Sequence, residues 1–380
     1  MTTTETLEAP ATTASDSIKG NPWHPTFRGV ALATRIELLR RRPSKKGYLV
    51  YGLTIAAIIA LGVLVAASSD DKLNSSPMEL VMILVLGAGM LIGPSLSATS
   101  INGDSSEGVL APLQMSRLTA ADLAIGKLLA SWAVCFAALL TTTPFLIYAF
   151  SKSGWHLNEM LWVLAVILFV VLAFTAMGLA WSSIAARSVA SVSLTHITSG
   201  VLGLGTVLIF AFTLPLVSEQ EQKTTWDYDY ELATEEDWAD PAFSPNQLPC
   251  VASTFTEPAV HTEKTAWLLL INPAVVVIES APVIDMDTFE KDGRAAPGVF
   301  AMMHQSVSEA RTPPLLEVNY CETGGGGLTW DEQQRAMGLV KPNPWPGIAL
   351  AGGILVASMA IVVQRLRVPY KKLRVGTRVA

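Results

Sequence analysis

The chain has 380 residues, of which 51% are hydrophobic and only 15% charged, and its net charge is −6. A soluble domain carries about 25% charged residues, so this composition excludes a single soluble domain with a polar skin and points to a polytopic membrane protein. The charge is also polarised: residues 218–345 hold 21 acidic against 7 basic side chains, which argues against nucleic acid as a partner.

Residues 1–26 are expected to form a disordered cytoplasmic N-terminus. Their first twenty residues are Thr-rich and weakly acidic, without the basic n-region and short apolar core of a cleaved signal peptide. Insertion is therefore expected to rely on the first spanning helix. Residues 27–46 read as an amphipathic helix ended by Pro43, with Phe27, Val30, Ala31, Leu38 and Leu39 apolar and Arg28, Arg35 and Arg42 recurring every seventh residue. A basic stripe beside an apolar face suits a helix lying in the cytoplasmic membrane interface, among lipids. The alternative is a topogenic basic cluster with no defined packing.

Crossing about 30 Å of hydrocarbon takes about 20 mostly apolar residues. Six segments qualify, at residues 48–67, 80–98, 128–150, 160–184, 192–217 and 347–363, so transmembrane helices 1–5 fall within residues 47–217 and helix 6 within 346–380. A further apolar stretch, 266–278, is too short and is broken by Pro273. Residues 266–280 are expected to form a re-entrant or interfacial hairpin. Lys and Arg cluster before the first span (Arg28, Arg35, Arg40, Arg41, Arg42, Lys45, Lys46) and after the last (Arg365, Arg367, Lys371, Lys372, Arg374, Arg378). That bias places both termini in the cytoplasm of a multi-pass cell-membrane protein. The expected fold class is an all-α polytopic membrane protein: six transmembrane helices, an N-terminal amphipathic interfacial helix, and a large acidic extracytoplasmic insertion, 218–345, between helices 5 and 6.

In the second span Gly89 and Gly93 form a GxxxG pair followed by Pro94, a spacing that lets helices approach closely. It marks either a moving subunit seam or plain packing within the chain. The inner loop, residues 100–122, then carries Asp104, Glu107, Gly108 and the apolar Val109, Leu110 and Leu113, an arrangement suited to a short exposed helix. Thr119 followed by Asp122 is a capping-box start, so a new helix is expected at Ala120.

This loop resembles that of ABC-2 type transporter permeases, whose members carry an acidic lead-in, a G-T-L-E-x-L-L segment, an S-P-L-S turn and a G-K-L-L helix start. The matching residues are Glu107, Gly108, Leu110 and Leu113, then Ser116, Leu118 and Thr119, then Gly126, Lys127, Leu128 and Leu129; Val109, Ala111 and Arg117 depart from the pattern. The resemblance extends weakly over the spans, the amphipathic helix and the apolar stretch with Asn272 and Pro273, but not over the acidic insertion. It implies the permease subunit of an ATP-binding cassette exporter, paired with an identical or homologous second permease subunit and coupled to separate ATPase subunits. It also implies that Glu107, Gly108, Leu110, Leu113 and Arg117 contact the ATPase, and that ATP and Mg²⁺ are bound by that partner, leaving no cofactor in this chain.

Thr141, Thr142, Thr143 and Pro144 interrupt the third span. In the fifth, His196, Ser199, Gly200 and Gly203 share a helical face. Polar groups at membrane depth are costly unless they face protein or water, so this face is a candidate substrate path or subunit interface; a hydrogen-bonded packing face is the plainer reading. Cys250 and Cys321 lie together in the exported segment, and a disulfide is favoured there over two free thiols. Trp226, Tyr228 and Tyr230 alternate with Asp227 and Asp229, and Glu235, Glu236 and Asp237 follow, a surface for cationic or glycan-like ligands or simply a solvated acidic face. Gly324 to Gly327 form a flexible joint, and Pro342, Pro344 and Pro346 mark the return to the membrane.

No G-x-x-x-x-G-K-[ST] phosphate loop occurs. His24, His156, His196, His261 and His304 are scattered, with no H-E-x-x-H or C-x-x-C, so no metal site is expected, and no G-x-S-x-G elbow argues for a hydrolase. The chain is not expected to be an enzyme. Two rival readings are an ion-coupled secondary transporter, which would need charged residues buried in mid-span where His196 alone is a candidate, and a membrane sensor or scaffold with an outer domain.

Overall fold

The computed structural model describes residues 21–41, 75–239, 243–283, 298–321 and 340–367, with isolated positions 52, 56 and 60. The expected first span, 48–67, therefore lies almost wholly outside the described residues, as do the 324–327 joint and the basic tail beyond Arg367. The elements are α1 (Phe27–Arg40), α2 (Ser76–Ala98), α3 (Ser100–Ser106), α4 (Leu110–Met115), α5 (Ala120–Leu139), α6 (Thr143–Ser153), α7 (Leu157–Ile184), α8 (Ser188–Gly200) and α9 (Thr206–Thr213). They continue with β1 (Ser218–Tyr228), α10 (Glu235–Ala239), β2 (Cys250–Val260), α11 (Trp267–Leu270), α12 (Pro273–Ile278), α13 (Val299–Ala310), β3 (Glu317–Asn319) and α14 (Trp345–Leu366).

Among the described residues, five helical runs are long and apolar enough to cross a membrane: Ser76–Ser106, Ala120–Ser153, Leu157–Ile184, Ser188–Val217 and Trp345–Leu366. Each covers an expected span and extends beyond it. The protein is a mostly helical, multi-pass membrane protein.

α7 is the axis of the bundle, packed against α2, α5, α8 and α14. Its apolar core is 72% buried, whereas that of Ser188–Val217 is 6% buried, so one helix is wrapped by protein and the other stands at the margin. The wrapping depends on small residues, because lipid offers no hydrophobic drive for helices to associate and close approach must supply dispersion contacts instead. Gly89 lies against Val171 and Gly93 against Thr175 of α7. Met78, Met82, Val85, Leu86, Val163, Ile167 and Val171 complete that layer.

Three of the runs are interrupted: Ser76–Ser106 at Thr99, between α2 and α3, and two others, each with a local cause. Between α5 and α6 a 3₁₀ turn at Leu140–Thr142 precedes Pro144, which cannot donate to the preceding turn. The hydroxyls of Thr141, Thr142 and Thr143 donate to Ala138, Leu139 and Leu140 carbonyl oxygens at 2.7 Å. Their polar groups are thus absorbed by their own backbone. Between α8 and α9 a π turn occupies Val201–Gly205, a register change that frees backbone carbonyls. The Asn272 amide donates to Gly203 O and to Thr206 Oγ1.

The same Asn272 caps α12, accepting from Ala274 N at 2.8 Å with Pro273 at the first helical position. The apolar 266–278 stretch is therefore two short helices hinged at Asn272. Val275, Val276, Val277 and Ile278 are buried, with α12 against α7, α13 and α14. Beyond it, Glu279 accepts from Asn343 N at 2.7 Å and lies 2.7 Å from His304 Nδ1, while Glu79 accepts from Phe300 N at 2.9 Å. These carboxylates fasten α13 and the start of α14 to one end of the bundle.

The acidic segment departs from the all-α expectation. It contains a three-stranded sheet ordered β2-β1-β3. β1 and β2 pair antiparallel from Ser218 opposite Val260 to Tyr228 opposite Cys250, and β3 adds in parallel at Thr224–Trp226. Helical periodicity is absent from residues 218–228; alternating polar residues with Thr, Trp and Tyr suit a strand. Cys250 and Cys321 are bonded, and Tyr228 Oη donates to Cys321 O at 2.7 Å. Trp238 stacks on Tyr230 and meets Phe243 edge-on. Because the disulfide spans 71 residues, Cys250→Ser should destabilise the sheet by about 4 kcal/mol. Thermal unfolding of the two proteins under oxidising conditions, followed by strand-sensitive spectroscopy, measures the difference.

Candidate coupling site

The loop between α2 and α5 is assembled from short helices with explicit starts and stops. α3 ends at Ser106, and Gly108 at φ +71° occupies the left-handed region that only glycine enters without cost. The chain thereby reverses into α4. The capping box at Thr119 forms as expected: Thr119 Oγ1 accepts from Asp122 N and Asp122 Oδ2 from Thr119 N, both at 3.0 Å. α5 begins at Ala120.

Asp122 has a second duty. Its carboxylate accepts from Thr26 N at 2.6 Å, Thr119 Oγ1 donates to His24 O at 3.2 Å and Ala121 N donates to Pro22 O at 3.0 Å. Residues 21–26, expected to be disordered, are therefore bound to the head of α5; residues 1–20 lie outside the described residues. The reason is that the first backbone donors of a helix lack intrahelical partners, and the N-terminal segment helps to complete them.

α1 follows directly, with Thr26 as N-cap. It buries Gly29, Ala33 and Glu37, a row of four-residue spacing made of two small side chains and one acid. A methyl built on Gly126 of α5 would stand 2.5 Å from Ala33 Cβ, so the two helices meet through their backbones. The expected apolar residues Phe27, Leu38 and Leu39 are exposed, and with Val30, Ala31, Thr34, Arg35 and Leu129 they line a shallow apolar groove of about 530 Å³. Arg28 and Arg35 are also exposed, while Arg42 lies outside the described residues.

Glu37 is the residue that reading the sequence missed. It is 6% exposed and faces Lys127, 2% exposed, at 3.0 Å between Oε2 and Nζ. Lys127 Nζ also approaches Asp104 Oδ2 to 2.6 Å, a charge contact out of hydrogen-bond alignment, and donates to Ser100 O at 3.2 Å. Arg41 pairs with Glu37 at 2.9 Å and donates to Leu96 O at 3.1 Å. Arg40 bridges Asp104 at 2.5 Å and Glu107 at 2.8 Å. Three acids and three bases thus join α1, α3 and α5. The one available signal was an acid, Glu37, amid the arginines of α1.

Burial pushes the Glu37 carboxyl up, but Lys127 and Arg41 together, by attraction and hydrogen bonding, outweigh it and hold its pKa below the ordinary value of 4.5. A depressed carboxylate stabilises the fold above its unfolded pKa and loses that contribution as pH falls through the folded value.

The five expected contact residues divide. Glu107, Gly108 and Arg117 are exposed at the loop tip, and Leu113 is half-buried. Leu110 is corrected: it is 3% exposed and packs with Ile101, Leu118, Val362 and Leu366, because the turn at Gly108 rotates α4 so that its first leucine points inward. Its place at the surface is taken by Met115, 77% exposed. Gln114 Nε2 donates to Leu366 O at 3.2 Å, tying α4 to the end of α14.

The second group divides too. Gly89 and Gly93 pack against Val171 and Thr175 of α7, the second of the two readings their spacing allowed. His196 Nε2 lies 3.0 Å from Ser95 Oγ, and Ser199 Oγ donates to Thr195 O. Side chains added at Gly200 or Gly203 would meet open space. Ile197, Val201, Leu204, Leu208 and Phe212 are exposed on the same run.

Lys127→Met should strand Glu37 and Asp104 without their shared cation and cost about 3–5 kcal/mol. Glu37→Gln with Lys127→Met should recover part of that loss, and detergent-solubilised thermal unfolding reads both. The anchorage of α1 should persist on acidification to about pH 4.5 and fail progressively below it, as protease access to α1 would record.

Among known proteins, no family model matches this sequence and no curated protein matches it.

Proposed function

We propose that this chain is the permease subunit of an ATP-binding cassette transporter, working as an exporter, with α3 and α4 as its coupling elbow. The observation that carries the reading is an exposed tip, Glu107, Gly108, Met115 and Arg117, mounted on buried ion pairs rather than on a floppy loop. A push on such a tip passes to α5 through Lys127 and to α1 through Arg40. ATP and Mg²⁺ are bound and hydrolysed by the partner, and this chain supplies the passage.

In this reading both termini and the elbow lie in the cytoplasm, residues 48–67 supply a sixth span, and the sheet is extracytoplasmic. α1 lies in the inner membrane interface with its apolar groove toward lipid. The sparsely covered Ser188–Val217 run, with His196, Ser199, Gly200 and Gly203, faces a second permease subunit, identical or homologous. The alternating ends of five long helices are compatible with this arrangement, and the resemblance of residues 103–132 to ABC-2 type permeases supports it.

Met115→Asp and Arg117→Glu should each abolish co-purification of ATPase activity when the chain is co-expressed with its neighbouring gene products, while leaving folding intact. Leu110→Asp should instead lower the yield of folded chain. Met115→Cys should react with an impermeant maleimide only from the cytoplasmic side. Labelling from outside the cell, or undiminished ATPase recovery with both tip variants, would refute the proposal.

A further inference from the structure

The base of the sheet holds a convergence of donors that no single stretch of sequence displays. Glu219 and Glu221 are two apart on β1 and so share one face. The β1–β2 register sets them opposite Ala259 and Glu257, and His261 N donates to Val217 O at 2.9 Å, extending the ladder by one step. By the two-residue period of a strand, His261 falls on the face of Glu219 and Glu221. One ligand atom from each of these three residues lies within 4.8 Å of the others.

Glu263 orients the imidazole, its Oε1 standing 2.8 Å from Nδ1. With the proton on Nδ1, the Nε2 lone pair faces Glu221 Oε1 at 3.4 Å, acceptor against acceptor. His261 Nε2, Glu221 Oε2 and Glu263 Oε2 are each buried from solvent without a hydrogen-bond partner. Buried polar atoms are rarely left in that state. Lys264 pairs with the outer carboxylate, at 2.7 Å from Glu219 Oε1, and attracts Glu263 and Glu221 from further off.

We propose that Glu219, Glu221 and His261 bind a divalent transition-metal cation of the Zn²⁺ class, with Glu263 as positioning residue. The donor set of one imidazole nitrogen and two carboxylate oxygens suits that class, whereas Ca²⁺ and Mg²⁺ take all-oxygen shells. A carboxylate on the far nitrogen of a ligating histidine is the arrangement that fixes its tautomer and raises its basicity. The cation ties the first turn of the sheet, next to the end of Ser188–Val217, to the segment leading into α11. Its recognition is independent of whether the chain is a transporter.

The test is titration of the full-length chain in detergent, stripped by chelator, with ZnCl₂ against a competing zinc indicator. One equivalent should bind, and excess CaCl₂ or MgCl₂ should not displace it. His261→Ala and Glu221→Gln should remove this binding, Glu263→Gln should weaken it about 10–100-fold, and Lys264→Met should leave it equal or tighter. His196→Ala should leave it unchanged. Retention of the Cys250–Cys321 bond on non-reducing gels verifies that each variant is folded. Failure of the wild-type chain to bind Zn²⁺, or equal binding by folded His261→Ala, would overturn the proposal and leave a proton on Nε2 as the group that fills the gap.

Discussion

A lysine ammonium withdrawn from water must find anions, and in this protein that requirement organises one whole end of the bundle. Lys127 is nearly inaccessible in the first turns of α5. Its charge is met by Glu37 from α1 and Asp104 from α3, which in turn recruit Arg41 and Arg40. A buried pair gains little net stability over apolar packing, yet removing one partner is expensive. The network therefore acts mainly as a specification: α1 can dock in the one position that brings Glu37 to Lys127, and the small residues Gly29, Ala33 and Gly126 permit that approach.

The hydrophobic part of the bundle obeys a different rule. In lipid every backbone group must be satisfied within the protein, and at two breaks of long helices side chains do so: Thr141, Thr142 and Thr143 between α5 and α6, Asn272 between α8 and α9. Asn272 is doubly used, since it caps α12 while bonding the π turn between α8 and α9. The marginal run and the hinged apolar pair are thus one mechanical unit. Hydrogen bonds of Asn272 join the π turn between α8 and α9 to α12, and Glu279 joins the end of α12 to α13 and the start of α14.

At the far end the sheet converts a charged segment into defined geometry. Strand pairing aligns residues far apart in the chain, and the bond between Cys250 and Cys321 closes the same region covalently. Among the described residues, this pairing holds the carboxylates of Glu219 and Glu221 close to His261.

The sequence by itself determined the membrane class, the places of five long helices, the capping box at Thr119, the break at Pro273 and the pairing of Cys250 with Cys321. These follow from local chemistry: apolar length, a helix-start spacing, a missing backbone donor and two cysteines set in one polar segment. Tertiary structure alone decided that Leu110 turns inward while Met115 stands out, that Gly89 and Gly93 serve α7, that residues 21–26 are bound, and that part of the acidic segment is a sheet. It alone brought Glu37 to Lys127 and His261 to Glu219 and Glu221. Each of these depends on groups distant in the chain meeting across helix faces or strand register, and linear spacing carries no signal for which distant charge will neutralise which.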